Sequence, residues 1–301
     1  SLANVLTPGD RVLVCVHGQF GERFAAIGRA LCAQVDTLEV PWGRAIDPNA
    51  VEQRVAEADY RAMVVVHNES STGVVADLAA IGSILRNRPT LLVVDSVSGL
   101  GGMEMRQDEW GVDIAVSASQ KAFMCPPGAA LASVSPKAWE VVKKGNGLPR
   151  FYWDFRKAMD GEESLETPFT PPISLIYGLH EALEMIHAEG VPTVLARHTR
   201  LAAALRDGCN ALGLLSFPQA DALSSTVVVL QVPDRFQGGD IVRLLYERHG
   251  TVIAGSRNKL SGRVIRIGCM GDIRDTDIMT DLEHLGSVLR ELGSKVAANA
   301  G

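Results

Sequence analysis

Lys121 is the first lysine of the 301-residue chain; every earlier strong cation is an arginine. It follows the apolar run DIAVSAS (113–119) and precedes a Pro-Pro-Gly turn, so an amine stands where a buried strand ends. A hydrated ammonium is costly to desolvate unless it is paired or gives up its proton. Once desolvated, the amine is free to attack carbonyls, the chemistry of Schiff-base lysines. Twenty-six residues before it, Asp95 closes TLLVVDS (90–96), the most apolar of these runs, and VSGLGG follows. A third site opens after AMVVVH (62–67), where His67 and Asn68 lead into ESSTG. That segment supplies hydroxyls, backbone amides and a glycine, groups that receive an anion or a phenolic oxygen.

Each site alone has an ordinary structural explanation. Isolated lysines snorkel from strand ends, an aspartate there caps a helix, and Ser-Ser-Thr-Gly is common N-capping sequence. The elements that carry the sites change the reading. RVLVCV (11–16), TLEV (37–40), AMVVVH, TLLVVDS, DIAVSAS and AALASVS (129–135) read as strands, and 21–34 and 75–87 as helices. The apolar runs are continuous rather than alternating, which predicts strands covered on both faces in a mainly parallel α/β sheet. Ligands bind such a sheet beyond the carboxyl ends of its strands, where all three sites fall. A carboxylate able to keep a pyridine nitrogen protonated, a hydroxyl cluster and a nucleophilic lysine at one edge suit pyridoxal phosphate. An NAD site is disfavoured, because no GxGxxG opens a helix after the first strand.

Residues 136–172 are mixed, with aromatic RFYWDF (150–155) and proline-rich TPFTPP (167–172) segments. A helix over 173–190 carries Ile176, Leu179, Leu183 and Ile186 on one face and ends at Gly190. A second helix (191–212), strands at 226–232, near 251–254 and at 262–268, and helices at 238–249 and 275–293 form a smaller α+β unit. The domain expectation is a large cofactor-binding domain over 1–172, a connecting helix over 173–190 and a small C-terminal domain over 191–301.

The net charge of −6 contains no basic block, which argues against nucleic acid or an anionic membrane as partner. The five cysteines lack CxxC pairing or even spacing, so neither a disulfide framework nor a zinc site is expected, and the cytoplasm is the natural compartment. No uncharged apolar run reaches the length needed to cross a bilayer, and no basic-then-apolar leader opens the chain. His180 and His187 are one heptad apart with nothing to complete a metal site, and His249 and His284 read as helix-surface residues.

These motifs together resemble the class V aminotransferases of fold type I, in particular the alanine/serine–glyoxylate branch. HGQFGER (17–23), HNESSTGV (67–74), VVDSVSGLGG (93–102), DEWGVDIAVSASQKAFMCPPG (108–128), TPFTPPISLIYGLHEAL (167–183) and RVIRIGCMGD (263–272) carry the resemblance over essentially the whole chain. It implies a mainly parallel sheet of the seven-stranded type with pyridoxal 5'-phosphate as cofactor. Lys121 would hold the cofactor, Asp95 would bind its ring nitrogen, Ser70 would lie near the phenolic oxygen, and Phe20 would stack on the ring. Gln120 would contact the phosphate, and Val97 matches a further cofactor-contacting position. Thr170, with Thr167 nearby, would reach the phosphate of a neighbouring subunit in a homodimer with shared active sites. Arg266 would grip the substrate carboxylate, a task suited to a bidentate guanidinium.

The implied activity is ping-pong transamination of serine or alanine with glyoxylate or pyruvate. Other class V chemistry, desulfuration or lyase cleavage, and a non-catalytic paralogue are the alternatives. Two departures stand out. Related chains begin roughly sixty residues earlier, with a Gly-rich turn and helix N-terminus that cradle the phosphate, so the chain reads as lacking its N-terminal segment. Cys269, three residues past Arg266, reads as pocket lining or core, as free cysteines usually are.

Overall fold

A computed structural model describes residues 1–161 and 165–299, with side chains up to residue 294. The first part contains α1 (Leu2–Val5), β1 (Arg11–Val16), α2 (Gln19–Ala30), β2 (Gln34–Glu39), α3 (Pro48–Glu57), β3 (Ala62–Val66), β4 (Asn68–Glu69), β5 (Val74–Val75), α4 (Leu78–Leu85), β6 (Leu91–Asp95), β7 (Ile114–Ala118), β8 (Ala130–Val134), α5 (Pro136–Lys144) and α6 (Phe155–Asp160). Then follow α7 (Ile173–Glu189), α8 (Val191–Ala211), β9 (Val227–Gln231), α9 (Gly238–His249), β10 (Ala254–Gly255), a 3₁₀ turn (Asn258–Leu260), β11 (Val264–Gly268) and α10 (Asp275–Asn299).

The central sheet runs β2-β1-β3-β6-β7-β8 and is parallel except for the β7–β8 pair. Its inner strands β1, β3 and β6 are almost wholly apolar because both faces are covered. Leu13, Cys15, Met63, Val65, Leu92 and Val94 pack against α3 and α4. Their alternates Val12, Val14, Val16, Ala62, Val64, Leu91 and Val93 pack against α1, α2 and α5. Side chains of a strand point alternately to opposite faces, so a strand buried on both sides loses its polar alternation.

Six strands form this sheet among the described residues, against the seven implied by resemblance. β8 is one of its two edges, with Ala130, Ala132 and Ser133 exposed. The structure also corrects the reading of 136–172 as merely mixed, since 136–144 is helix α5. Ser135 caps it by accepting the Ala138 N–H, and Pro136 occupies the first turn, where its missing N–H costs nothing. α3 repeats the device with Asp47 and Pro48.

A three-stranded sheet, β10-β11-β9, packs against α8, α9 and α10 around Leu201, Leu205, Leu230, Ile241, Leu244 and Ile265. It meets the first sheet's loops through backbone bonds from Ser224 to Gly73 and from Val75 to Ala222. Between them, α7 keeps Ile176 and Leu183 46% and 45% exposed, and only Ala182 is buried.

Candidate active site

The carboxyl ends of β3, β6 and β7 are neighbours, because the three strands are adjacent and in parallel register: Val66 opposes Asp95, and Asp95 opposes Val116. Around these ends lies a cavity of about 360 Å³ lined by Phe20, Arg23, Asn68, Ser70, Asp95 and Lys121, with Val97, Ser98 and Gln120 completing its polar end. The topology thus gathers residues from four separate stretches of sequence.

Asp95 is at the centre. Its Oδ1 accepts the Val97 N–H at 2.9 Å, which fixes the carboxylate plane and makes the contribution of Val97 a backbone one. Among the described residues no donor reaches its Oδ2. Burial pushes the carboxyl up, while the Val97 amide and the charges of Arg23 and Lys121 pull it down. Such a group pairs readily with a basic partner brought into the cavity. Lys121 stands half-buried on the turn after β7.

Phe20 projects from the first turn of α2, with the Arg23 guanidinium 4.8 Å from its ring centroid. Arg23 was not singled out from sequence, although its i, i+3 spacing from Phe20 puts both on one helix face. Asn68 completes the wall. Its Nδ2 lies within hydrogen-bond reach of Ser98 O, Ser98 Oγ and Thr226 Oγ1, whereas its Oδ1 is buried with no partner. A buried acceptor without a donor is costly, and a ligand hydroxyl or protonated nitrogen would satisfy it. An amine, a carboxylate, an aromatic plate and an unpaired acceptor around a cavity of this size therefore fit a substituted pyridine aldehyde such as pyridoxal phosphate.

The remaining sequence-expected residues fall outside this cavity lining. His67 lies beneath the edge, its Nδ1 2.9 Å from Ser96 Oγ, and burial lowers it to about 4. Arg266 does not line the cavity but bonds to its wall through the Ser70 carbonyl. Thr167 and Thr170 are exposed and away from it, with Thr167 Oγ1 donating to Phe169 O at 2.7 Å. Cys269 is core: it is fully buried, and burial pushes its thiol up to about 12. His249 and His284 are not simple surface residues, because their rings stack at 4.2 Å between α9 and α10. Among the described residues, no three His, Cys, Asp or Glu side chains converge as metal ligands, and no helix is long and apolar enough to cross a membrane.

Residues 1–269 match the family model of class V aminotransferases. The chain is 38% identical over 296 residues to the soluble hydrogenase small subunit of Synechococcus sp., covering 97% of this chain and 77% of that protein. It is 34% identical over 309 residues to the serine–glyoxylate aminotransferase of Arabidopsis thaliana, covering all of this chain and 77% of that one. The crystal structure of alanine–glyoxylate aminotransferase from Nostoc sp. superposes with a TM-score of 0.93 over 96% of this chain and 77% of that one, at 31% identity. The same α/β architecture is therefore established by an independent structure. Since the family match spans residues 1–269, a range that holds Phe20, Asp95, Lys121 and Arg266, the chain belongs to the class V aminotransferases.

Proposed function

We propose that this aminotransferase moves an amino group from serine or alanine to glyoxylate or pyruvate, with pyridoxal 5'-phosphate held in the Lys121 cavity. The observation that carries the reading is the convergence of Lys121, Asp95 and Phe20 on one cavity at the carboxyl edge of the sheet. When bound, the cofactor supplies an electron sink for the charge that develops as the substrate Cα loses its proton.

The chain's own residues do the rest. Lys121 would hold the cofactor and, as a free amine, would be the base that takes the substrate Cα proton. Asp95 holds a proton at the ring nitrogen, and the Val97 amide keeps its carboxylate aimed. Phe20 presents an aromatic face that fixes the ring plane, worth about 1 kcal/mol. Ser70 and Gln120 offer polar groups at the phenolic and phosphate ends. Arg266 orients the substrate carboxylate. Names of similar proteins support glyoxylate as acceptor, paired there with serine or alanine.

The same reading assigns 1–172 as the cofactor-binding unit, 173–190 as a connecting helix and 191–301 as a small unit, supported by their separate apolar cores. It pairs two copies in a homodimer in which Thr167 and Thr170 reach the partner's phosphate. Support comes from their exposure and from the exposed aromatics Phe151 and Tyr152, which pack on Phe169 between them. It places the protein in the cytoplasm, supported by five unpaired cysteines. Desulfuration is disfavoured, since it needs an accessible thiol beside the cofactor: among the described residues no cysteine lines the cavity, and Cys269 is sealed in the core.

The test is to load the purified protein with pyridoxal phosphate and supply a panel of amino donors with glyoxylate, following keto acid and glycine. Formation of both, abolished in Lys121→Ala, is the expected result. Cofactor binding without product from any donor would leave a binding protein and overturn the reading.

A further inference from the structure

α2 starts without a cap of its own. Gly18 precedes it with no side chain to offer, and the first amides of any helix lack intrahelical partners. The cap comes instead from residues about fifty positions along the chain. Glu69, fully buried in β4, accepts the Phe20 N–H at 2.9 Å and the Gly21 N–H at 3.1 Å through Oε2. Its Oε1 accepts the Ser71 N–H at 3.2 Å and the Ser71 hydroxyl at 2.6 Å, and Ser71 Oγ in turn accepts the Gln19 N–H at 2.9 Å.

Three consecutive amides of the helix's first turn are thereby held by one acid–hydroxyl pair. Gly18 makes the space: a Cβ there would stand 2.2 Å from Glu69 Cγ and 2.6 Å from Ser71 Oγ. Gly21 seats the same turn on β1, since a Cβ on it would meet the Cys15 carbonyl oxygen at 2.7 Å. A fully buried acid needs such donors: burial pushes Glu69 up, and the bonds from Ser71, Gly21 and Phe20 oppose that. The helix N-terminus favours negative charge at the same point. Phe20, whose amide the acid holds, faces the cavity with Lys121 and Asp95.

We propose that Glu69 is a positioning residue for the cofactor plate: by holding the first turn of α2 it sets the plane and depth of the Phe20 ring in the cavity. The inference rests on the pyridoxal-phosphate reading above for what the ring receives, but the hold on the turn is a property of the chain alone.

Glu69→Gln separates the two. Glutamine keeps the size, but its NH₂ must either face the Phe20 and Gly21 amides, losing both bonds, or face Ser71, losing the Ser71 N–H bond while the hydroxyl turns to accept, and its remaining oxygen is a weaker acceptor than a carboxylate. Without cofactor, hydrogen exchange at residues 19–21 should quicken at least tenfold in the variant while the strands of the sheet stay protected. With cofactor, its dissociation constant should rise about tenfold or more, and the circular dichroism of the bound chromophore should weaken. In a Phe20→Leu background the same substitution should change the dissociation constant by less than threefold, because interactions that act through one group are not additive.

Unchanged exchange at 19–21 overturns the proposal, as do effects of Glu69→Gln and Phe20→Leu that multiply independently. Ser71→Ala, which removes the Gln19 cap and keeps the acid, provides the milder case should Glu69→Gln fold poorly. It should quicken exchange at Gln19, and unchanged exchange there counts against the proposal equally. If the wild-type protein binds no pyridoxal phosphate, the proposed function fails, and the exchange result still decides whether Glu69 holds the turn.

Discussion

The Nη1 of Arg266 donates to the carbonyl oxygen of Ser70 at 3.2 Å, so a strand of the three-stranded sheet grips the hairpin that lines the cavity. Its Nε and Nη2 converge on the Gly255 carbonyl at 3.0 and 2.9 Å. A guanidinium has five N–H groups, and these bonds use three. One N–H remains on each terminal nitrogen, the pair a carboxylate accepts in parallel. The side chain is thus braced by backbone rather than by an acid.

Arg266→Lys keeps the charge but loses the brace and the fork. The KM for the amino donor should rise about 10- to 100-fold, the effect of losing one charge-assisted bond or more, with cofactor affinity little changed. Steady-state kinetics with equilibrium cofactor titration checks this. An unchanged KM would remove Arg266 from substrate binding.

Asp95→Asn preserves the acceptor for the Val97 amide, so the fold and cavity should survive. It removes the group that holds a proton at a ring nitrogen, and kcat should fall by about 10² to 10⁴, the range typical of a lost acid–base partner. Stopped-flow measurement of the half-reaction with one amino acid isolates the step. A variant within a few-fold of wild type would show that the carboxylate is only structural.

Among the described residues three histidines are buried, and His17 and His67, the most strongly shifted, should make folding acid-sensitive. Burial lowers His17 to about 4, against an opposing pull from the Cys15 and Val66 backbone, and lowers His67 to about 4. The folded state keeps both neutral, whereas the unfolded chain protonates them near pH 6.5. Their stability contribution is therefore complete above about pH 6.5 and is lost as pH falls toward 4, with each worth on the order of 3 kcal/mol in full. Urea midpoints at pH 7.5, 6 and 5 should fall steadily, and His67→Gln should flatten the slope. A midpoint constant from pH 7.5 to 5 would contradict this account.

Gly82 sits in α4 where a Cβ would be 1.6 Å from the Trp110 carbonyl oxygen. That contact is backbone, so it cannot rotate away. Despite alanine's better helix propensity, Gly82→Ala should destabilise the protein by about 3 kcal/mol or more through overpacking, visible as a lowered urea midpoint. Neutral or higher stability would show that the α4–Trp110 packing yields.

Much of the site was legible in the chain itself. Lys121, Asp95 and the ESSTG segment announce themselves because each ends a run apolar enough to be a buried strand, and parallel sheets put their chemistry at those ends. The strands were readable for the same reason: with both faces covered, residues such as Val12 to Val16 can all be apolar. β8 and α5 show the limit, since a half-exposed edge strand and a helix opened by Ser-Pro carry weaker patterns. What only the tertiary structure decided is which distant groups support the reactive ones. Glu69 reads as one polar residue in a motif until the fold brings it against α2, some fifty positions away. Arg23 is one more letter of HGQFGER until α2 docks beside Asp95, and Cys269 stands in a site motif yet is sealed in the core. Spacing along a chain records the local period of helix and strand; a bond between residues 20 and 69, or 70 and 266, depends on how the elements pack, and no local period encodes that.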